Sequence, residues 1–133
     1  MLKKLNAYKF SAVSIGVALA IGLTLTIFVL PSNAVGQSKT VSIVKGASNP
    51  LSTEPYNPSP LSVLVGTTVT WINNDNTGHT VTEGNPSGNT PPNGFDSGIL
   101  APGKTFTHKF DRAGTVQYYC TLHPTMLGEV IVK

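Results

Sequence analysis

After residue 34, apolar and polar positions alternate with a period of two, and no window repeats every three to four residues. Alternation of this kind sends successive side chains to opposite faces, so it predicts half-buried strands and no helix. Residues 40–44 (Thr-Val-Ser-Ile-Val) are β-branched and alternating, and read as a first strand. Residues 49–60 hold four prolines and read as a loop. Residues 61–65 form a short strand, Gly66 and Thr67 a turn, and residues 68–73 another strand. In that strand Val69 and Trp71 share a face that Asn73 continues, while Thr70 and Ile72 point the other way. Residues 83–94 are a twelve-residue loop of Gly, Pro and Asn, long for a connection without structure of its own. Phe106 and Phe110 share a face of the segment 104–110, and residues 115–120 and 129–133 supply the last strands. Short strands separated by Gly/Pro turns predict an all-β sandwich, with Trp71, Phe106 and Tyr118 as core aromatics.

The first 34 residues follow another pattern. Lys3, Lys4 and Lys9 precede 21 residues, 10–30, without a charge. That run exceeds the usual apolar core of a signal peptide and is long enough for one membrane helix. Ser32-Asn33-Ala34 before Val35 nevertheless offers a small-residue cleavage site. Residues 1–34 are therefore expected to be a signal peptide or an N-terminal transmembrane anchor, helical in its hydrophobic part, and residues 35–133 one exported domain. Both alternatives keep the lysines cytoplasmic and place the domain outside, in the periplasm or on the outer face of the membrane.

This division changes the meaning of the charge. The formal net charge of +3 comes from nine basic and six acidic residues. Three of the basic residues are the leading lysines, so the exported domain has six of each sign and is neutral. It has no basic patch with interleaved aromatics, and no nucleic-acid partner is expected. A single cysteine rules out an internal disulfide, so a packed core must hold the domain together. An unpaired exported thiol also needs protection, which metal ligation would give.

The candidate chemistry lies near the C-terminus. Cys120, His123 and Met126 fall three residues apart on one short segment, and His79 lies 41 residues before the cysteine. Singly each has an ordinary reading: a buried thiol, a turn histidine, a core methionine, a solvated histidine. Together they make a set of two imidazoles, one thiolate and one thioether. Two His and one Cys in a plane, with a weak axial Met, hold copper for electron transfer. The soft sulfur ligands favour Cu(I), and imidazole accepts both oxidation states. The expected metal ligands are therefore His79, Cys120, His123 and Met126, around one copper ion. A methionine ligand argues against zinc. His108, in the alternating segment 104–110, reads as a strand residue.

The segment from Gly114 through Cys120-Thr121-Leu122-His123-Pro124-Thr125-Met126 to Val130 resembles the copper-loop end of the cupredoxins, the small blue copper proteins. The resemblance is greatest to their plastocyanin and amicyanin branch. Val65 to Asp75 with Gly78-His79-Thr80-Val81 resembles the approach to the first copper histidine, and Phe95 to Phe106 the stretch between. It spans roughly residues 39–133. It implies a Greek-key sandwich with a type 1 copper site at one end, and an electron carrier. It also implies that electrons pass through the exposed edge of His123, with Leu122, Pro124, Leu127, Pro91 and Pro92 as candidates for a weak apolar docking patch.

Two positions depart from the family. Thr80 stands where an Asn usually follows the first histidine. Its backbone N–H is kept, and the Thr80 and Thr121 hydroxyls are expected to pair in place of the missing amide bridge. Leu122 stands where plastocyanin and amicyanin have proline. It restores an N–H, expected as a second donor to the thiolate, so that Leu122→Pro would raise the potential.

The expected function is single-electron shuttling between redox partners that dock weakly near His123; the domain is expected to be a monomer. The alternative is copper binding or delivery without electron transfer. An enzyme is not expected, because a reductase or oxidase would need a second copper centre, and only three histidines are present.

Overall fold

In the computed structural model, which describes residues 36–133, there are eight strands: six form on the alternating stretches, and two short ones, one of them inside the expected loop 49–60, lie outside them. They are β1 (Ser38–Ile43), β2 (Tyr56–Asn57), β3 (Leu61–Val63), β4 (Thr67–Asn73), β5 (Thr82–Glu83), β6 (Thr105–Phe110), β7 (Gly114–Tyr119) and β8 (Leu127–Val132). The expected N-terminal helix, the anchor or signal peptide and the boundary at residue 34 lie outside the described residues.

The strands form two four-stranded sheets, ordered β2-β1-β4-β6 and β3-β8-β7-β5. The pairs β1–β4 and β3–β8 are parallel and the other pairs are antiparallel. A parallel pair cannot be joined by a tight hairpin. The chain therefore leaves β1, adds β2 beside it, enters the second sheet as β3 and returns as β4. One core lies against both sheets. Val41, Ile43, Val69, Trp71 and Phe110 come from the first, and Leu61, Val63, Tyr118, Val130 and Val132 from the second.

β4 shows the expected alternation in full, with Thr67, Val69, Trp71 and Asn73 buried and the residues between them half-buried. Trp71 is the centre of the core. Its ring centroid lies 5.4 Å from Tyr118, and 5.8 Å from each of Phe95 and Phe106. Tyr118 lies across its strand partner Gly128, where any Cβ would run into the phenol ring. Glycine is required there by close approach.

Candidate metal centre

β4 and β7 each end in a loop, and these two loops supply the candidate ligands. Cys120 directly follows β7. The segment after it is closed by its own backbone: His123 N donates to Cys120 O (3.3 Å), Met126 N to His123 O (2.8 Å), and Cys120 N to Met126 O (3.1 Å). His79 follows β4 and exchanges two backbone hydrogen bonds with Leu100, of 3.1 and 2.7 Å. The segment near residue 100 thus braces the first loop from the side.

The three nitrogen and sulfur donors meet in space. Cys120 Sγ lies 3.9 Å from His79 Nδ1 and 3.6 Å from His123 Nδ1. All three donor atoms lie within 4.8 Å of one another. Metal–nitrogen bonds of about 2.0 Å and a metal–sulfur bond of about 2.3 Å, spread around a plane, put such atoms roughly 3.8 Å apart. The spacing therefore suits one ion bound by all three. His79 and Cys120 are fully buried, His123 is half-buried, and Met126 is buried on the same closed loop.

Asp75 orients His79. Its Oδ2 lies 2.8 Å from His79 Nε2. A carboxylate can only accept, so Nε2 carries the proton and the Nδ1 lone pair turns inward. Asp75 is itself buried. Its Oδ1 accepts from Gly46 N (2.9 Å) and Asn76 N (2.8 Å), and its Oδ2 accepts from Thr77 Oγ1 (3.1 Å). Burial alone would raise its pKa. The hydrogen bonds from Gly46, His79, Asn76 and Thr77 outweigh burial and hold the carboxyl well below the usual range. Asn73 fixes the turn beneath: its Nδ2 donates to Thr77 O and Leu100 O, both at 2.8 Å, and its Oδ1 accepts from Asp75 N.

Tyr56 braces the site from the proline-rich segment. Its Oη donates to Thr80 O at 2.6 Å, and its ring meets Tyr118 edge-on with centroids 4.9 Å apart. Burial, then the negative field of Cys120, pushes its pKa up, so it stays a donor. The segment 49–60 therefore does more than connect strands.

The expectations about the thiolate divide. Thr80 N donates to Cys120 Sγ at 3.3 Å. The Thr80 and Thr121 hydroxyls lie 3.2 Å apart, and Thr121 N also donates to Thr80 Oγ1 at 2.8 Å. The second donor expected from Leu122 is absent: among the described residues Thr80 N is the backbone N–H that reaches Sγ. Leu122→Pro therefore removes no bond to sulfur, and the expected rise in potential loses its basis. Pro91 also leaves the apolar patch. It lines a hollow with Thr115 and Val116 at the start of β7, whereas Cys120 follows the end of that strand. Leu122, next to His123 in the chain, is half-exposed, and Ile99, 68% exposed, lies against Gly78 on the His79 loop; Leu127 is also half-exposed, but lines a hollow with Pro60 and Gln117. His108 is a strand residue, as expected. It faces inward on β6, its ring centroid 4.5 Å from Phe95 and 4.9 Å from Phe110.

Asp75 and Tyr56 are the supporting residues that sequence reasoning missed. The only trace of the first was a carboxylate four residues before a ligand histidine, in a run of turn residues that does not single it out. A lone aromatic in a proline-rich segment gave none for the second.

A two-sheet fold carrying a thiolate and two imidazoles on converging loops defines a copper-site sandwich protein. Residues 41–133 match the copper binding proteins of the plastocyanin/azurin family, and the chain belongs to that family. It is a copper protein, not an enzyme. It is 36% identical over 84 residues to plastocyanin of Scenedesmus fuscus, covering 59% of this chain and 86% of that protein. It is 35% identical over 88 residues to amicyanin of Paracoccus denitrificans, covering 59% of this chain. The match spans 58% of that amicyanin and 58% of the Tetradesmus obliquus plastocyanin, little more than half the length of each. Among solved structures, a purple cupredoxin from Nitrosopumilus maritimus superposes with a TM-score of 0.64 at 34% identity. That match covers 71% of this chain and 98% of the other.

Proposed function

We propose that this chain shuttles single electrons between redox partners outside the cytoplasmic membrane. His79, Cys120 and His123 would hold the copper, with Met126, buried on the same loop, as a fourth and weaker ligand. The bound copper would supply the Cu(II)/Cu(I) couple. One observation carries the reading: Sγ and the two Nδ1 atoms already stand 3.6 and 3.9 Å apart, at the spacing one ion needs. Ligands held by a sheet end, a closed loop and a buried carboxylate move little when the metal changes charge, which suits electron transfer. Its similarity to plastocyanins and an amicyanin supports the same reading.

Residues 35–133 are the working domain in this proposal, and residues 1–34 its signal peptide or membrane anchor, as the uncharged run 10–30 suggests. Partners would dock weakly on Leu122, Pro124 and Ile99 near the half-buried His123, a small apolar contact of the kind that comes apart easily.

The test is the visible spectrum after one equivalent of Cu(II), beside a Cys120→Ser control. An intense charge-transfer band, lost in the control and bleached reversibly by a reductant, is expected. A protein that binds copper without such a band, or yields it quickly to a Cu(I) chelator, would be a copper carrier instead.

A further inference from the structure

The bridge between Thr80 and Thr121 continues beyond those two residues. Thr80 Oγ1 also lies 3.0 Å from Thr82 Oγ1, and Thr82 Oγ1 lies 3.1 Å from Asp96 Oδ1. Four residues from three segments thus form one chain of hydrogen bonds. Its carboxylate end fixes its direction. The Thr121 backbone N–H can only donate, and the Asp96 carboxylate can only accept. A hydroxyl has one proton to give. Thr82 gives its proton to Asp96, so it accepts from Thr80. Thr80 has then committed its proton, and both lone pairs of its Oγ1 face the Cys120 loop. They take the Thr121 amide proton at 2.8 Å and the Thr121 hydroxyl proton at 3.2 Å. Run in reverse, the chain would give the Thr80 hydroxyl proton to the Thr121 hydroxyl; Thr80 Oγ1 would still accept the Thr121 N–H, but without the polarisation that donation towards the Asp96 carboxylate lends it.

The surroundings suit a fixed relay. Thr80 and Thr82 are buried, so water does not readily replace either partner. Asp96 is at the surface, but its Oδ1 also accepts from Gly98 N at 2.9 Å, and a β-bridge pairs Thr82 with Asp96. The neighbouring Ser97 ties in as well, donating its N–H to Val81 O and accepting from Val81 N on its Oγ.

We propose that Asp96 is a positioning residue for the Cys120 loop. Through Thr82 and Thr80 it sets the direction of a hydroxyl relay that captures the amide beside the thiolate. The idea builds on the copper-site reading, but the relay itself needs no metal.

The test begins with the copper-free full chain. Exchange of the Thr121 amide is measured by NMR, with the core strand amide of Val130 as internal reference. Asp96→Ala and Thr82→Val each take away the polarisation of the Thr80 acceptor and should speed Thr121 exchange about two- to threefold relative to Val130. Thr82→Ser should restore it, because a serine hydroxyl keeps both bonds. In the copper-loaded protein, Thr82→Val should move the reduction potential and the charge-transfer band in the same direction as Thr80→Val. The Thr80→Val/Thr82→Val double variant should go no further than Thr80→Val alone. Unchanged Thr121 exchange in Asp96→Ala overturns the proposal, as do additive effects in the double variant. If Thr82→Val does not fold, the surface variant Asp96→Ala still decides. Faster exchange in a chain that shows no copper band would sustain the relay and remove the electron-transfer reading.

Discussion

At the scale of single residues, the four candidate ligands are legible because soft and borderline donors at short spacing have few other joint explanations. Asp75 was hidden because Asn-Asn-Asp-Asn reads as turn chemistry, and nothing local says which turn residue will reach back to a ligand. Its loss has a definite signature. Removing a carboxylate behind a ligating imidazole typically costs about 10–100-fold in metal affinity, and that is the expected effect of Asp75→Ala on Cu(II) in chelator competition. Asp75→Asn keeps a side-chain acceptor but removes the negative charge that favours the oxidised metal. Its reduction potential should therefore rise in a redox titration. His108 gives a pH effect instead. Burial lowers its pKa below the ordinary 6.5, although Glu83 and Asp111 oppose the shift. Below 6.5 the unfolded chain therefore binds more protons than the folded one, and stability falls as the pH drops through that window. Above it the group contributes no pH dependence. His108→Phe should flatten that part of the curve of urea midpoint against pH.

At the scale of elements, the period-two pattern located every strand of six or more residues to within two residues at its start. It missed β2 and β5, because two residues are too few to show a period. It also carried the strand at 61 on to Val65, where β3 stops at Val63: Leu64 and Val65 are apolar but half-exposed, and their sequence looks the same either way. The proline-rich segment was the least legible element. Its prolines announce a loop and hide that Tyr56 is anchored in the core. Tyr56→Phe leaves the buried Thr80 carbonyl without its partner and should cost about 1–3 kcal/mol of folding stability, read from urea unfolding. The charge-transfer band should survive, since no ligand is lost.

At the scale of the whole molecule, the two-sheet architecture and the convergence of two loops at one end follow from strand order and ligand spacing. The direction of the Thr80 relay does not, because it depends on which residues the 95–100 segment brings alongside. The described domain carries six basic and six acidic residues, and its candidate docking surface is apolar. Association with a redox partner should therefore depend weakly on salt. Between ionic strengths of about 0.01 and 1 M the Debye length falls from about 30 to about 3 Å, and the measured second-order rate is expected to change by less than about tenfold. A steep fall would point to charge steering and to a different contact face.

The ligand segment closes on itself, Cys120 to His123 to Met126 and back, through its own backbone. Its two ends are built into the β7–β8 hairpin, and Thr121 ties its start to Thr80. That makes the rest of it an interchangeable cassette: lengthening, shortening or transplanting the stretch between Leu122 and Met126 should leave the register of the sandwich beneath unchanged. New metal colours and potentials can then be written on an unchanged chassis.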